Sequence, residues 1–314
     1  MSTEEKFGEY SKCIEDDRAV SVLDPLGMDS FLIEELPRIN EEARVESLIQ
    51  DASRLIPPLR ELGDPDVHEA MAATRDIAIV ASSLTRHGLN LASVPQIEPS
   101  LLLLSRITGE VPSDTVFSYG TRNPAGSRMR TFTGTEEERF FIGRFSKATH
   151  ALLPTIAFLD QAEDISIFSP TYVELLQKAG EEFAGVISAM AAVRQCITPE
   201  FFTHRLRPYF EPKRIGGEIY FAPGGVQMPV LLVDLALWGS DEKDPKCWEY
   251  WEQNLAYLPP GLRSKARKVS SHPSLVEKGI GELEKSHQDN SGLAQARKSL
   301  RALAEMLGSL EKFR

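Results

Sequence analysis

Cysteine is scarce in this 314-residue chain: Cys13, Cys196 and Cys247 are far apart, odd in number and without CxxC spacing. Such a distribution supports neither a disulfide framework nor a zinc site. A basic excess is missing as well. The formal net charge is -11, whereas nucleic-acid binding needs a basic face that neutralises phosphates. Lys and Arg are scattered, mostly beside acids, so no nucleic-acid partner is expected. No apolar run approaches the roughly 20 residues of a membrane-spanning helix. The start, MSTEEKFGEYSK, has neither the basic region nor the apolar core of a signal peptide. No membrane partner and a cytoplasmic location are therefore expected.

Familiar catalytic signatures are absent too. There is no Walker loop, Rossmann glycine fingerprint, HExxH, GxSxG, EF-hand loop or CxxCH. The six histidines, His68, His87, His150, His204, His272 and His287, are dispersed, and none pairs with another at helical spacing. A multi-histidine metal site would have to be assembled from distant segments. His87, before Gly88, reads as a helix-end residue, and His150 as an ordinary, partly buried histidine. Strand-like alternation is nearly absent, and no period of 20–50 residues repeats.

What is present is helical periodicity. A polar lead-in with one short helix occupies residues 1–24, and Asp24-Pro25-Leu26 opens the next helical segment. From Glu41 to Ile56, Val45, Leu48, Ile49, Ala52 and Leu55 follow helical spacing, and Pro57-Pro58 stops it. A second long helix runs from Pro65 to His87 and stops at Gly88. Acids at Glu136, Glu137 and Glu138 open a helix through Phe140, Phe141 and Phe145, and Ser169-Pro170 opens the most regular helix of the chain. Between them, SYGTRNPAGSRMRTFTG (118–134) carries Arg122, Arg128 and Arg130 and no acid. It reads as a solvated connector. The expected architecture is all-α: a small N-terminal helical domain (1–120), a connector (121–134) and a larger helical domain (135–314). The last helix, from Ser291, runs to Arg314 without a stop signal.

Chemistry concentrates between Thr198 and Ser240. Thr198 caps, Pro199 fits a first helical turn, and Phe201, Phe202, Leu206 and Tyr209 follow beside Arg205 and Arg207. Glycine pairs Gly216–Gly217 and Gly224–Gly225 flank Tyr220 and Phe221, and Glu218 to Phe221 is the one stretch that suits a short strand. A guanidinium among aromatics beside a glycine-rich loop suits a flat ligand bearing a carboxylate. A buried helix, a loop and another buried helix would produce the same residue types.

The stretch LRPYFEPKRIGGEIYFAPGGVQMPVLLVDLALWGS, with SSLTRHG (82–88) and ATRDIAI (73–79), resembles the enzyme family of pyrrolnitrin biosynthesis that makes monodechloroaminopyrrolnitrin. That family lies in the heme-dependent indoleamine/tryptophan 2,3-dioxygenase superfamily, and the resemblance extends from Asp24 to Arg314. It implies an indoleamine 2,3-dioxygenase-like helical fold and heme as cofactor. It implies an indole-type substrate such as tryptophan or a halogenated tryptophan, with dioxygen or peroxide, in ring rearrangement or 2,3-dioxygenation within secondary metabolism. Arg207 matches the arginine that holds the substrate carboxylate, and Phe202 an aromatic beside the indole. Phe140, Phe141 and Arg144 match the helix of the distal pocket, with core packing the competing role for the phenylalanines. Gly224, Gly225 and Tyr209 fall near the heme edge. The family's proximal histidine matches no residue of 1–314; its place lies just beyond Arg314, so no metal ligand is assigned here. Two readings follow: a heme enzyme whose natural chain continues, or a heme-free, non-catalytic binding protein of the same fold. Residues 1–314 alone are expected to retain heme weakly or not at all. No oligomeric state is implied.

Overall fold

The computed structural model describes residues 3–286 and 290–313, and the fold is all-α. Twelve α-helices occur among the described residues: α1 Thr3–Ser21, α2 Leu36–Glu41, α3 Val45–Leu55, α4 Val67–Arg86, α5 Ile97–Thr108, α6 Glu136–Ala162, α7 Pro170–Cys196, α8 Val230–Leu237, α9 Pro245–Leu255, α10 Pro260–Ser270, α11 Leu275–Glu284 and α12 Asn290–Phe313. None of these helices is long and apolar enough to cross a membrane. The periodicity located most of them, and the stop expected at Gly88 agrees: α4 ends at Arg86, His87 caps it, and Gly88 follows at φ +73. Two expectations fail. The lead-in is a 19-residue helix, α1, and not a short one. The helix expected over Glu41–Ile56 is broken after Glu41, where Ala43 takes φ +50, and restarts at Val45.

Two compact units divide the chain. One comprises residues 1–14, 147–191 and 226–314; the other comprises 15–146 and 192–225. The segment 121–134, expected as a connector, lies inside the second unit.

That second unit is built around α4. Asp66 accepts a hydrogen bond from the Glu69 N–H at 2.9 Å, and the Glu69 carboxylate accepts one from the Asp66 N–H at 3.0 Å, a reciprocal cap that fixes where α4 starts. Every residue from Ala70 to Leu84 is buried. Small side chains (Ala70, Ala72, Ala73, Ala78, Ala81) let neighbouring elements, α5 above all, approach α4 closely. The only strands among the described residues, β1 Lys213–Ile215 and β2 Glu218–Tyr220, pair antiparallel with Ile215 opposite Glu218. Their two-residue turn needs positive φ at both positions, which Gly216 (+61) and Gly217 (+87) supply. The turn is held on α5 by the Gly216 N–H, which donates to Glu98 at 2.7 Å.

Charge, not only apolar packing, fills the interior of this unit. Arg75 and Asp76, adjacent on α4 and both buried, pair through Nε–Oδ1 at 2.7 Å and Nη2–Oδ2 at 2.8 Å. The remaining Arg75 protons go to the carbonyls of Val20, Leu23 and Arg122. From the far side Arg130 donates to Asp76 at 3.1 Å and to Asp29, which also accepts from Arg128 at 2.7 Å. Arg122 donates to Asp17 at 2.8 Å and forks onto Glu110 at 2.6 and 2.8 Å. Arg122 and Arg130 are only 2% and 1% exposed, so the reading of 118–134 as a solvated loop is overturned. The physical reason is that a buried guanidinium needs anionic partners, and these come from Asp17, Asp29, Asp76 and Glu110, outside the segment. Burial alone would lower the Arg122 pKa, but Glu110 and Asp17 carry it above the ordinary arginine value. Burial would likewise raise Asp29; the hydrogen bond from Arg128 and the charge of Arg130 hold its carboxyl below the usual 3.8.

In the first unit, α8 is apolar almost all round and is buried accordingly, contacted by α10, α11 and α12. Gly239 follows it closely. A Cβ there would lie 3.0 Å from the Trp251 ring and 3.1 Å from the Asp234 carbonyl, so glycine is required by the close approach. Lys278 closes the end of α6 and the turn after it, donating to the carbonyls of Ala162 (3.0 Å) and Glu163 (2.6 Å).

Replacing Asp76 by Ala leaves the buried Arg75 guanidinium with carbonyl partners alone and Arg130 with one carboxylate fewer, and about 3–5 kcal/mol of unfolding free energy should be lost, measured by urea denaturation. The pH dependence has a defined sign. Because the Asp29 pKa is depressed in the folded state, its contribution is present above the ordinary value of 3.8 and is lost as pH falls below it. Asp29→Asn should flatten the acid limb of a stability-against-pH curve below about pH 4, while an unchanged limb would remove Asp29 as its source.

Candidate functional site

Phe140, Phe141, Arg144, Phe202, Arg207, Tyr209, Gly224 and Gly225 all belong to the second unit. As expected, Thr198 caps: its hydroxyl accepts from the Phe201 N–H at 3.1 Å. The helix expected to follow is not α-helical. Phe201–Leu206 forms a π turn that closes with the Arg207 N–H donating to the Phe202 carbonyl, five residues back. Pro208 has no N–H to continue any ladder, and the chain tightens into a single 3₁₀ turn over Arg207–Tyr209.

The first turns of α6 bring the aromatics together. Phe141 stacks on Phe145 with centroids 5.8 Å apart and meets Phe202 at 5.8 Å, tilted by 49°. Phe140 carries the Arg144 guanidinium over its ring at 4.9 Å. Phe140, Phe141 and Phe202 are half-buried and pack against the core of the unit on one side. Core packing and a lined surface are thus both true of these rings. Arg207 is exposed, and among the described residues no carboxylate lies within ion-pair distance of it; the neighbouring Arg205 has Glu41 at 3.7 Å.

Tyr209 stands apart from that group. It is buried, stacked on Phe132 at 4.4 Å, and Phe132 in turn stacks on Tyr119 at 5.6 Å. Burial pushes the Tyr209 hydroxyl up to about 12 although Arg86, 5.9 Å from the ring, opposes this. Gly224 and Gly225 have no positive φ, so their backbone does not require glycine. A Cβ on Gly225 would meet nothing within 4 Å, and one on Gly224 only the Ala222 carbonyl at 4.0 Å.

In the sequence Glu138 is a first-turn acid; in the fold it does more. It is fully buried, and its carboxylate accepts from the Tyr119 hydroxyl (3.0 Å), the Phe132 N–H (2.8 Å), the Thr133 N–H (2.7 Å) and the Thr133 hydroxyl (2.7 Å). Burial raises its pKa against those four donors, and burial together with the Glu138 charge raises Tyr119. This carboxylate ties the entry of α6 to the 119–133 segment and so sets where Phe140 and Phe141 stand. The available signal was Thr135 three residues before Glu138, a capping-box spacing. Thr135 Oγ1 does accept from the Glu138 N–H at 3.3 Å.

Among the described residues no group of three or more His, Cys, Asp or Glu is placed to hold a metal ion. His68 bonds Asp16, His87 bonds Asn40, His272 bonds the Lys268 carbonyl, His150 is half-buried and His204 is exposed. His287 lies outside the described residues. A family profile described as Monodechloroaminopyrrolnitrin synthase PrnB matches residues 35–309, which includes all of the site residues above. The chain belongs to the monodechloroaminopyrrolnitrin synthase PrnB family, heme-dependent oxidative enzymes of pyrrolnitrin biosynthesis within the indoleamine/tryptophan 2,3-dioxygenase superfamily.

Proposed function

We propose that this protein binds heme and oxidises an indole substrate of the tryptophan type, halogenated or not, with dioxygen or peroxide. Phe140, Phe141 and Phe202 form the apolar wall for the indole, and Arg207 anchors the carboxylate. The observation that carries this reading is the pairing of Phe202, in ring contact with Phe141, with an exposed Arg207 that no described carboxylate neutralises. A guanidinium binds a carboxylate through two parallel N–H bonds, which fixes orientation as well as affinity. Arg144, held on the Phe140 ring, lies in the same half-buried group and is assigned to the substrate's surroundings. Family membership favours this reading over a heme-free binding protein.

For heme the residues fit in part. Half-buried aromatic faces suit a flat apolar macrocycle, and the open space at Gly225 leaves room for its edge. We assign Gly224 and Gly225 to that edge and Tyr209 to the packing behind it. No described histidine is assigned as the iron ligand, because His68, His87 and His272 are in polar contacts and His204 is exposed. When bound, heme supplies the activation of the oxygen species. The residues named here bind, orient and exclude water. Ring rearrangement and 2,3-dioxygenation remain alternatives separated by the product, since dioxygenation leaves two added oxygen atoms on the opened ring.

Arg207→Ala should weaken tryptophan binding about tenfold or more while leaving 3-methylindole, which has no carboxylate, unchanged in isothermal calorimetry. Equal losses for both ligands, or none, would remove Arg207 as the anchor. The full-length protein purified from heme-supplemented cells should carry a Soret band that tryptophan shifts. A colourless protein that takes up no added heme would overturn the cofactor assignment.

A further inference from the structure

The Tyr119 hydroxyl donates to Glu138 Oε1 at 3.0 Å, and both side chains are buried. Burial, the Glu138 carboxylate and the more distant Asp114 charge all raise the Tyr119 pKa, so this phenol does not shed its proton unaided. Loss of an electron reverses that preference. An oxidised phenol is a strong acid, and a buried cation radical is costly where charge is poorly solvated. The proton therefore leaves with the electron wherever a hydrogen-bonded base stands ready. Glu138 is such a base, and burial raises its pKa, which makes the protonated form easier to reach.

The Tyr119 ring is also one end of an aromatic file. It stacks on Phe132 at 5.6 Å with 19° between the planes, and Phe132 stacks on Tyr209 at 4.4 Å with 10°. Phe210 braces the file edge-on, 5.2 Å from Tyr119 and 6.1 Å from Phe132. Rings in contact leave an electron only short gaps to cross between the two phenols. The two ends differ in charge. Tyr209 lies beneath the Arg86 guanidinium at 5.9 Å and feels Arg205 as a second cation, which disfavours a positive hole there. Tyr119 has its acceptor in direct contact. Arg75 and Arg130, which line a small cavity together with Tyr119 and Asp114, are both paired with Asp76.

We propose that Tyr119 is a proton-coupled redox site of the protein, with Glu138 as its internal base. A one-electron oxidant takes one electron from Tyr119 and is reduced by one. The Tyr119 O–H bond breaks, the proton bonds to Glu138 Oε1, and a neutral phenoxyl radical and a neutral carboxylic acid remain. The pair passes from one negative charge to none, so the step adds no charge to the interior. The hydrogen bond survives with its direction reversed, while the Thr133 N–H and hydroxyl stay on Oε2. For a member of an oxidative enzyme family, the site gives stray one-electron oxidising equivalents a defined end point inside the fold. It depends neither on Arg207 nor on the indole assignment.

The test uses the whole protein, a photogenerated ruthenium(III) polypyridyl complex as the oxidant, and detection by electron paramagnetic resonance and time-resolved infrared. A phenoxyl signal that narrows with ring-deuterated tyrosine is expected. A new carboxylic-acid carbonyl band, shifted by isotope-labelled glutamate, should rise with it. Tyr119→Phe keeps the ring stack and should lose the band and most of the signal, with an unchanged circular dichroism spectrum. An undiminished signal in that variant assigns the radical to another tyrosine and overturns the proposal. A Tyr119 radical without the carboxylic-acid band removes Glu138 as the base and overturns it as well, as does the absence of any phenoxyl signal while the oxidant is consumed. Glu138→Gln should lose the signal if it folds; if it does not fold, the infrared band of the wild type carries the assignment.

Discussion

The pairing of Asp76 with Arg75 and Arg130 is the constraint on which the second unit depends. Asp76 is fully buried, and its charge is balanced there by those two guanidinium groups. Each arginine then carries the constraint outward. Arg75 collects the carbonyls of Val20, Leu23 and Arg122, and Arg130 reaches Asp29. A loop rich in Gly, Pro and Ser becomes an interior layer because its cations have nowhere else to be neutralised.

That layer positions the aromatic wall. Tyr119 and Phe132, both from the arginine-bearing segment, stack in line with Tyr209 from the stretch after the π turn. Glu138 gathers donors from Tyr119, Phe132 and Thr133 at the start of α6. Phe140 and Phe141 follow within one helical turn of Glu138, so the same buried carboxylate that anchors the loop also sets the depth of the wall. An indole ring presented to Phe141 and Phe202 would lie against side chains whose freedom is already removed, and preorganisation of this kind lowers the entropic cost of binding.

The helical plan was open to reading because its causes are local. Hydrophobic spacing, Ser169-Pro170 at a helix start and Gly88 at a helix end act within one or two turns, and the structure places α4 and α7 close to where those signals stand. Resemblance in residue order also pointed to Phe202, Arg207 and the Phe140–Arg144 region, of which the structure brings Phe141 and Phe202 into ring contact. Misreadings came where the cause is distant. Arg122, Arg128 and Arg130 looked solvated because no acid lies near them in the chain. The acids they meet are Glu110, 12 residues away, and Asp17 and Asp29, 99 to 105 residues away.

By itself, then, the sequence determined the all-α class, the helix boundaries that carry caps or glycine stops, the one short strand after Gly217, and the family to which the chain belongs. Only the tertiary structure decided which charges are buried, that Glu138 is a four-donor acceptor in place of a surface acid, and that the helix after Thr198 widens into a π turn. A helix signal is written in neighbouring residues, whereas desolvation of a charge and the choice between α and π closure depend on what packs against the backbone. The Thr198–Tyr209 stretch holds both kinds of information: its residues name a ring and a guanidinium, and its fold sets Phe202 against Phe141 and leaves Arg207 exposed.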